Sequence, residues 1–386
     1  MKKIILTILL ISATIMIAGA QAQIPKLSLD EFITEYLPDY RIEKQIQLDG
    51  TARDFAVAKD TGDIVVVTQL DDSFRVYFFD SIGDLIWDKE FDTIGHTLTC
   101  RISDDGSYIV VTNYLSITKN IVLDNLGNIL FEKQLNDIEL VPTPDGNYFY
   151  EKVGGMSDRE KGLFIYDLSG NEIKISGFDF SDKKNIRIKF INSSRIMSYM
   201  QNKIILLHFD NGFFKKIWEH ELQRYHPFDD YFYSKVKSNI NCIAVISHTP
   251  EGLSYIFDWD GKIVYQDNFY QSFDFINEEE IIFGRRFKKN TLLRKLNTIT
   301  SDYEDYDYPF NINYFNNIYE VNNYLLFHFD YHNNIKGSTI IITDKTNYIP
   351  QHIFNANIKL YRNRLLFYET VDQFSILYIL GGNHEN

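Results

Sequence analysis

The sequence predicts an all-β fold, a β-propeller built of four-stranded antiparallel blades. Three observations predict it. First, a phrase recurs in which an apolar strand ends in Asp, a short turn ends in Gly, and another strand follows. It reads Phe79-Asp80-Ser81-Ile82-Gly83, Leu123-Asp124-Asn125-Leu126-Gly127, Tyr166-Asp167-Leu168-Ser169-Gly170, Phe209-Asp210-Asn211-Gly212 and Phe257-Asp258-Trp259-Asp260-Gly261. The Asp residues lie 44, 43, 43 and 48 apart, the period of one four-stranded blade. Asp caps such a turn through its side chain and Gly supplies positive φ, so each phrase is a hairpin. Weaker copies end at Leu296-Asn297 and Thr343-Asp344. Second, another turn precedes a β-rich run in the first three repeats, at Asp60-Thr61-Gly62, Asp104-Asp105-Gly106 and Pro144-Asp145-Gly146. Two hairpins per repeat make a blade. Third, the 341 residues from Arg41 to Gly381 hold nearly eight such periods.

In chain order, residues 1–22 follow the plan of a secretory signal. Lys2 and Lys3 precede an apolar run from Ile4 to Ile17, and Ala20-Gln21-Ala22 offers a cleavage site. Cleavage after Ala22 places the mature chain outside the cytoplasm, periplasmic or secreted, with no transmembrane segment. Residues 23–39 hold a short helix: Ser28-Leu29-Asp30-Glu31 is a capping box, and Phe32, Ile33, Tyr36 and Leu37 fall at helical spacing until Pro38. Residues 40–381 form one propeller domain, followed by a tail at 382–386. Inner strands are expected to start near Arg53, Thr97, Ile138, Ile186, Phe232, Ser272, Ile312 and Ile358. The last unit runs out of chain before its fourth strand, whereas Tyr40 to Leu48 is a strand without a blade. The N-terminal strand therefore completes the eighth blade and removes two exposed edges. Seven blades result instead if Asn297 to Pro309 is an insertion.

The composition is that of a folded chain: 45% hydrophobic, 15% aromatic and 24% charged. Without Lys2 and Lys3, 37 basic residues face 53 acidic ones, a net charge of −16. Such a surface repels nucleic acid and anionic headgroups, which excludes both as partners. Cys100 and Cys242 fall three blades apart, beyond the reach of a disulfide, and are expected as small buried hydrophobes.

The two turn phrases together resemble the blades of WD40-like and pyrroloquinoline-quinone-type propellers over residues 41–381. Trp87 and Trp218, four and six residues after their Gly, look like the tryptophan that docks neighbouring blades in quinoprotein propellers; Trp259 lies within its turn. The vicinal cysteine pair of the quinoprotein enzymes is absent, and the chain is shorter than theirs. The resemblance implies architecture, not activity, because this fold hosts unrelated functions. In length and blade number the chain also resembles the eight-bladed propeller subunit of outer-membrane assembly machinery. That family is lipid-anchored, and no cysteine follows the apolar run here.

Ligands of propellers usually sit where the d-to-a and b-to-c loops emerge around the channel. On that face the sequence places Arg53, His96, Tyr225 and His226 within a long connection, His248, Arg285 and Arg286, and Tyr331 and His332. The basic run at Arg285, Arg286, Lys288 and Lys289 offers a site for an anionic ligand or acidic peptide, or a solvated hairpin tip balanced by Glu278, Glu279 and Glu280. The histidines lack the spacing of a helical zinc motif, and Asp302, Glu304, Asp305 and Asp307 lack the ordered glycine-containing loop of a calcium site. No metal and no cofactor is expected. No nucleophile elbow, phosphate-binding glycine loop or His-Glu-x-x-His occurs. The reading is a monomeric, non-catalytic binding or scaffolding propeller for a protein or carbohydrate partner. The alternative is an enzyme (lyase, hydrolase or quinone-dependent dehydrogenase) whose site is assembled from the same loops.

Overall fold

Eight β-sheets stand around a common axis. The computed structural model describes residues 26–382 apart from 93–96, 115–116, 136–137, 154–162, 179–186, 201–202, 222–233, 248–252, 269–271, 288–289, 309–314, 316, 333–334, 355–356, 363 and 372–373. Residues 1–22, the segment expected as an export signal, thus lie outside the described residues. Blades one to seven follow one another along the chain, and all but blade three show strands a to d in sequence order and antiparallel throughout. Their inner strands are Thr51–Val57, Thr97–Ile102, Ile138–Pro142, Arg187–Asn192, Ser234–Ser238, Ser272–Phe275 and Asn317–Val321, and that of blade eight is Asn357–Tyr361. These starts match expectation within two residues, except that blade seven begins at Asn317, later than Ile312, which lies outside the described residues. Residues 297–309 are no insertion: they carry the turn and outer strand, Tyr303–Tyr308, of blade six. Blade three has three strands among the described residues, and a single bridge between Tyr166 and Glu172 marks the place of its fourth.

The turn chemistry is the expected one. The Asp80 carboxylate accepts the backbone N–H groups of Ile82 and Asp84 at 3.0 and 2.8 Å, while Gly83 takes φ +82°. Asp124, Asp167 and Asp258 repeat the arrangement. At Asp210 the turn shortens, and Asn211 and Gly212 both adopt positive φ, as a two-residue hairpin of this hand requires. Gly127 and Gly261 meet a second demand. The Trp87 indole lies against Gly127 and donates to the Asn125 carbonyl at 2.9 Å; Trp218 lies against Gly261 and donates to the Trp259 carbonyl at 3.2 Å. An outer-strand aromatic of one blade thus docks on the c-to-d turn of the next, and a Cβ on Gly261 would come within 2.7 Å of the ring.

Second strands such as Ile64–Gln69 are buried on both faces, which their unbroken apolar runs predict, whereas the outer strand Leu85–Asp92 alternates polar and half-covered positions. Each of the eight seams between neighbouring blades holds its own apolar cluster, so the core is itself a ring.

Closure is as the strand count requires. Tyr40–Asp49 pairs antiparallel with Phe374–Gly382, from Tyr40 opposite Gly382 to Asp49 opposite Phe374, and becomes the outer strand of blade eight. The helix Leu29–Tyr36 is capped reciprocally by Ser28 and Glu31, and buries Phe32 and Tyr36 in the seam between blades seven and eight. Among the described residues no helix is long and apolar enough to cross a membrane.

Candidate functional site: the charged lining of the central channel

Each inner strand presents one charged or amide side chain of a connected series. In blade order these are Asp54, Arg101, Glu139, Lys189, Lys237, Asp274, Asn317 and Lys359. Contacts between blades tie them together. Arg101 reaches Asp54 of blade one at 3.2 Å and Glu139 of blade three at 3.0 Å, and Glu139 also pairs with Lys152 at 3.1 Å. Lys237 of blade five contacts Asp274 at 2.7 Å and donates to the Asn317 side chain of blade seven at 2.9 Å. Reaching two blades onward is possible only at the inner rim, so this series lines the channel.

The two aspartates do the same structural work. Asp54 accepts the Cys100 N–H of blade two at 3.1 Å, and Asp274 accepts the Ile318 N–H of blade seven at 2.7 Å. Each carboxylate thereby satisfies a backbone donor of the following inner strand, which would otherwise face the axis unpaired. Three carboxylates (Asp54, Glu139, Asp274) stand against five cations (Arg101, Lys152, Lys189, Lys237, Lys359), an excess of two positive charges in a chain whose net charge is −14. Burial raises the Asp54 carboxyl above the usual carboxylate range, opposed by Arg101 and Lys359.

Lys189 donates to the Val236 carbonyl at 2.7 Å. Its side chain is exposed, but to the lumen and with protein on every side. That enclosure, reinforced by repulsion from Lys237, lowers its pKa to about 8. The folded chain therefore holds this proton less tightly than the unfolded chain, and the penalty is full below pH 8 and fades as pH rises towards the ordinary lysine value. Relative to wild type, Lys189→Met is expected to gain stability at pH 7 and to lose that advantage by about pH 10, whatever fixed cost attends the lost hydrogen bond. Urea midpoints of both chains at the two pH values measure this; a pH-independent difference would count against it.

The loop residues singled out in the sequence fare differently. His96, Tyr225, His226 and His248 lie outside the described residues. Arg53 is not in a loop but in the inner strand of blade one, at the bulge between Ala52 and Asp54, where its side chain donates to Gln69 at 2.7 Å. Arg285 and Arg286 lie within Glu280–Phe287, and Tyr331 and His332 within Tyr324–His332. The second strands of blades six and seven pair to the end with their third strands, so the hairpin loops are shorter than charge and polarity imply. Among the described residues no group of His, Cys, Asp and Glu is arranged to hold a metal ion. Of the acidic residues at 302–307, Asp305 is engaged by Arg294 at 2.6 Å. Cys100 and Cys242 are both free and buried, in blades two and five, and burial pushes the Cys242 thiol up to about 11. Such thiols are packing groups, not nucleophiles.

No protein-family model matches the sequence, and no curated protein matches it. The structure is similar to that of BamB from Moraxella catarrhalis, with a TM-score of 0.58 and 13% identity, over 88% of this chain and 99% of that one. It is similar to the C-terminal WD40 domain of Sif2, with a TM-score of 0.52 and 9% identity, over 89% and 99%. It is also similar to the quinohemoprotein alcohol dehydrogenase ADHIIG from Pseudomonas putida HK5, with a TM-score of 0.53 and 8% identity, over 94% and 84%. At these identities the likeness is one of fold, and with the eight sheets it makes the chain an eight-bladed propeller of WD40-like and pyrroloquinoline-quinone-type architecture.

Proposed function

We propose that this chain is an exported, non-catalytic binding propeller that presents its d-to-a and b-to-c connections to a protein or carbohydrate partner. One observation carries the reading. On one face four of the c-to-d turns are near copies, closed by the same carboxylate-to-backbone bonds at Asp80, Asp124, Asp167 and Asp258. On the other face the connections differ widely. The d-to-a link is residue 50 alone before blade one, 136–137 before blade three and 222–233 before blade five, and the b-to-c link is 70–72 in blade one but 154–164 in blade three. A rigid frame with repeated turns at one end and connections of varied length at the other is how scaffolds carry recognition. The apolar segment at residues 4–17 with its small-residue cleavage site supports export.

The test is to express the tagged full-length chain beside a variant whose residues 222–233 are replaced by a short Gly-Ser link. Cell fractions are collected and co-purifying material is identified by mass spectrometry. The expected result is a processed N-terminus near Gln23, recovery outside the cytoplasm, and capture of a partner that the variant loses. An unprocessed cytoplasmic chain overturns the export reading, and equal capture by both chains overturns the loop-face reading.

A further inference from the structure

A second concave site lies on the opposite face, where blade eight meets blade one at the mouth of the channel. It is a half-enclosed pocket of about 600 Å³, a size that suits a small molecule. Its wall comes from the inner strand and first turn of blade one (Phe55, Lys59), the inner strand of blade two (Arg101), and the inner strand and first turn of blade eight (Lys359, Tyr361, Arg362). Four of these six carry positive charge, and no carboxylate belongs to the wall.

The four cations are not equally committed. Arg101 is held by Asp54 and Glu139. The Arg362 guanidinium rests on the Tyr361 ring at 5.1 Å and donates to the Asp60 carbonyl at 3.1 Å. Lys59 and Lys359 form no salt bridge among the described residues and feel a carboxylate only at longer range, Lys59 that of Asp104 and Lys359 that of Asp54; Lys359 stands over the Phe55 ring at 5.8 Å. Like charges converging on a partly enclosed space repel one another in a medium that screens poorly. In a protein of net charge −14 this concentration of positive charge is local and focused by the walls of the channel. Phe55, Ala56, Val57 and Leu360 supply an apolar side to the same pocket.

We infer that this pocket binds a small organic anion with two or more negative groups on an apolar body, its charges meeting Lys59, Lys359 and Arg362 and its body lying along Val57 and Leu360. Lysines are point charges without the planar fork that distinguishes one oxyanion from another, so carboxylate and phosphate groups share the chemistry that the pocket recognises. The site is on the face opposite the loops assigned to the partner, and does not depend on that assignment.

The experiment is isothermal titration of the full chain at low ionic strength with two probes that carry the same number of groups on the same ring, benzene-1,3-dicarboxylate and 1,3-phenylene bisphosphate. Binding of the first alone assigns carboxylate ligands, and of the second alone phosphate ligands. With whichever probe binds, the double variant Lys59→Gln/Lys359→Gln is expected to bind at least about tenfold more weakly, a difference of about 1.4 kcal/mol, and raising salt is expected to weaken wild-type binding. Lys215→Gln, on the exposed outer strand of blade four, should leave binding unchanged, and thermal midpoints confirm that the variants fold. Failure of both probes to bind wild type, or binding that the double variant retains in full, overturns the proposal.

Discussion

A chain shortened to begin at Gly50 is expected to lose its cooperative unfolding transition. Two things go with residues 26–49. The first is the outer strand of blade eight, paired with Phe374–Gly382 along its length; its loss leaves that mostly buried, apolar third strand as an unpaired outer edge. The second is apolar burial: Phe32, Tyr36 and Leu37 fill the seam between blades seven and eight, and Leu48 packs with Leu366, Leu377 and Ile379 in the seam between blades eight and one. Truncating one large buried side chain costs roughly 2–5 kcal/mol. Losing four, roughly 8–20 kcal/mol, is as large as the roughly 5–15 kcal/mol that holds a typical domain together. The remedy is specific to the register. Tyr40 lies opposite Gly382, so a short Gly-Asn turn after Gly382 followed by residues 40–49 rebuilds the strand as a hairpin on the same edge. That permuted chain should regain a single sharp transition, at a lower midpoint because the helix is still missing. Circular dichroism melts of the three chains decide the matter, and a truncated chain melting like the full one would show that the ring does not depend on this strand.

The same closure shows what a sequence discloses. It was legible because strands can be counted: the last repeat lacks an outer strand and Tyr40 to Leu48 lacks a blade. The hairpins were legible because their chemistry is local, an Asp at the strand end and a Gly that must take positive φ a few residues later, as at Asp80 and Gly83. The helix announced itself through Ser28 and Glu31, three residues apart. The channel lining was not legible, because its contacts join distant residues: Arg101 and Asp54 are 47 apart and Lys237 and Asn317 are 80 apart. A trace is present once the inner strands are aligned, since Asp54, Glu139, Lys189, Asp274 and Lys359 each directly precede Phe or Leu. Arg285 and Tyr331 were placed in loops because charge and polarity resemble a turn, whereas the pairing partners that extend those strands lie in the strand that follows. The anionic-ligand pocket required the ends of the chain to meet, which no local pattern encodes.

The channel lining supplies the other large effect. In Arg101→Met the Asp54 and Glu139 carboxylates lose the cation that stands between them. Glu139 keeps Lys152, whereas Asp54 keeps its backbone donors and the more distant field of Lys359. Removing one partner of a fully buried pair typically costs about 3–5 kcal/mol, because a charge stays behind without compensation; Arg101 is 35% exposed, so screening by solvent makes the expected loss smaller than that. The pH dependence identifies that cause. Burial already raises the Asp54 pKa in the folded chain, and losing Arg101 raises it further. A carboxyl with a raised folded-state pKa destabilises most when the pH is above that value and both states ionise, and the penalty shrinks as pH falls and the folded state takes up its proton. The gap between wild type and Arg101→Met should therefore be wide at pH 7 and narrow at pH 4. Adding Asp54→Asn to Arg101→Met removes the orphaned charge and should recover part of the loss, so that the double variant is less destabilised than the two single changes summed, by about 1 kcal/mol or more. Denaturant unfolding of the four chains closes the cycle. Additive losses with no pH dependence would mean that Arg101 acts through the packing of its aliphatic stem; coupling that fades with acid would mean that charge balance across successive inner strands holds this part of the ring in register.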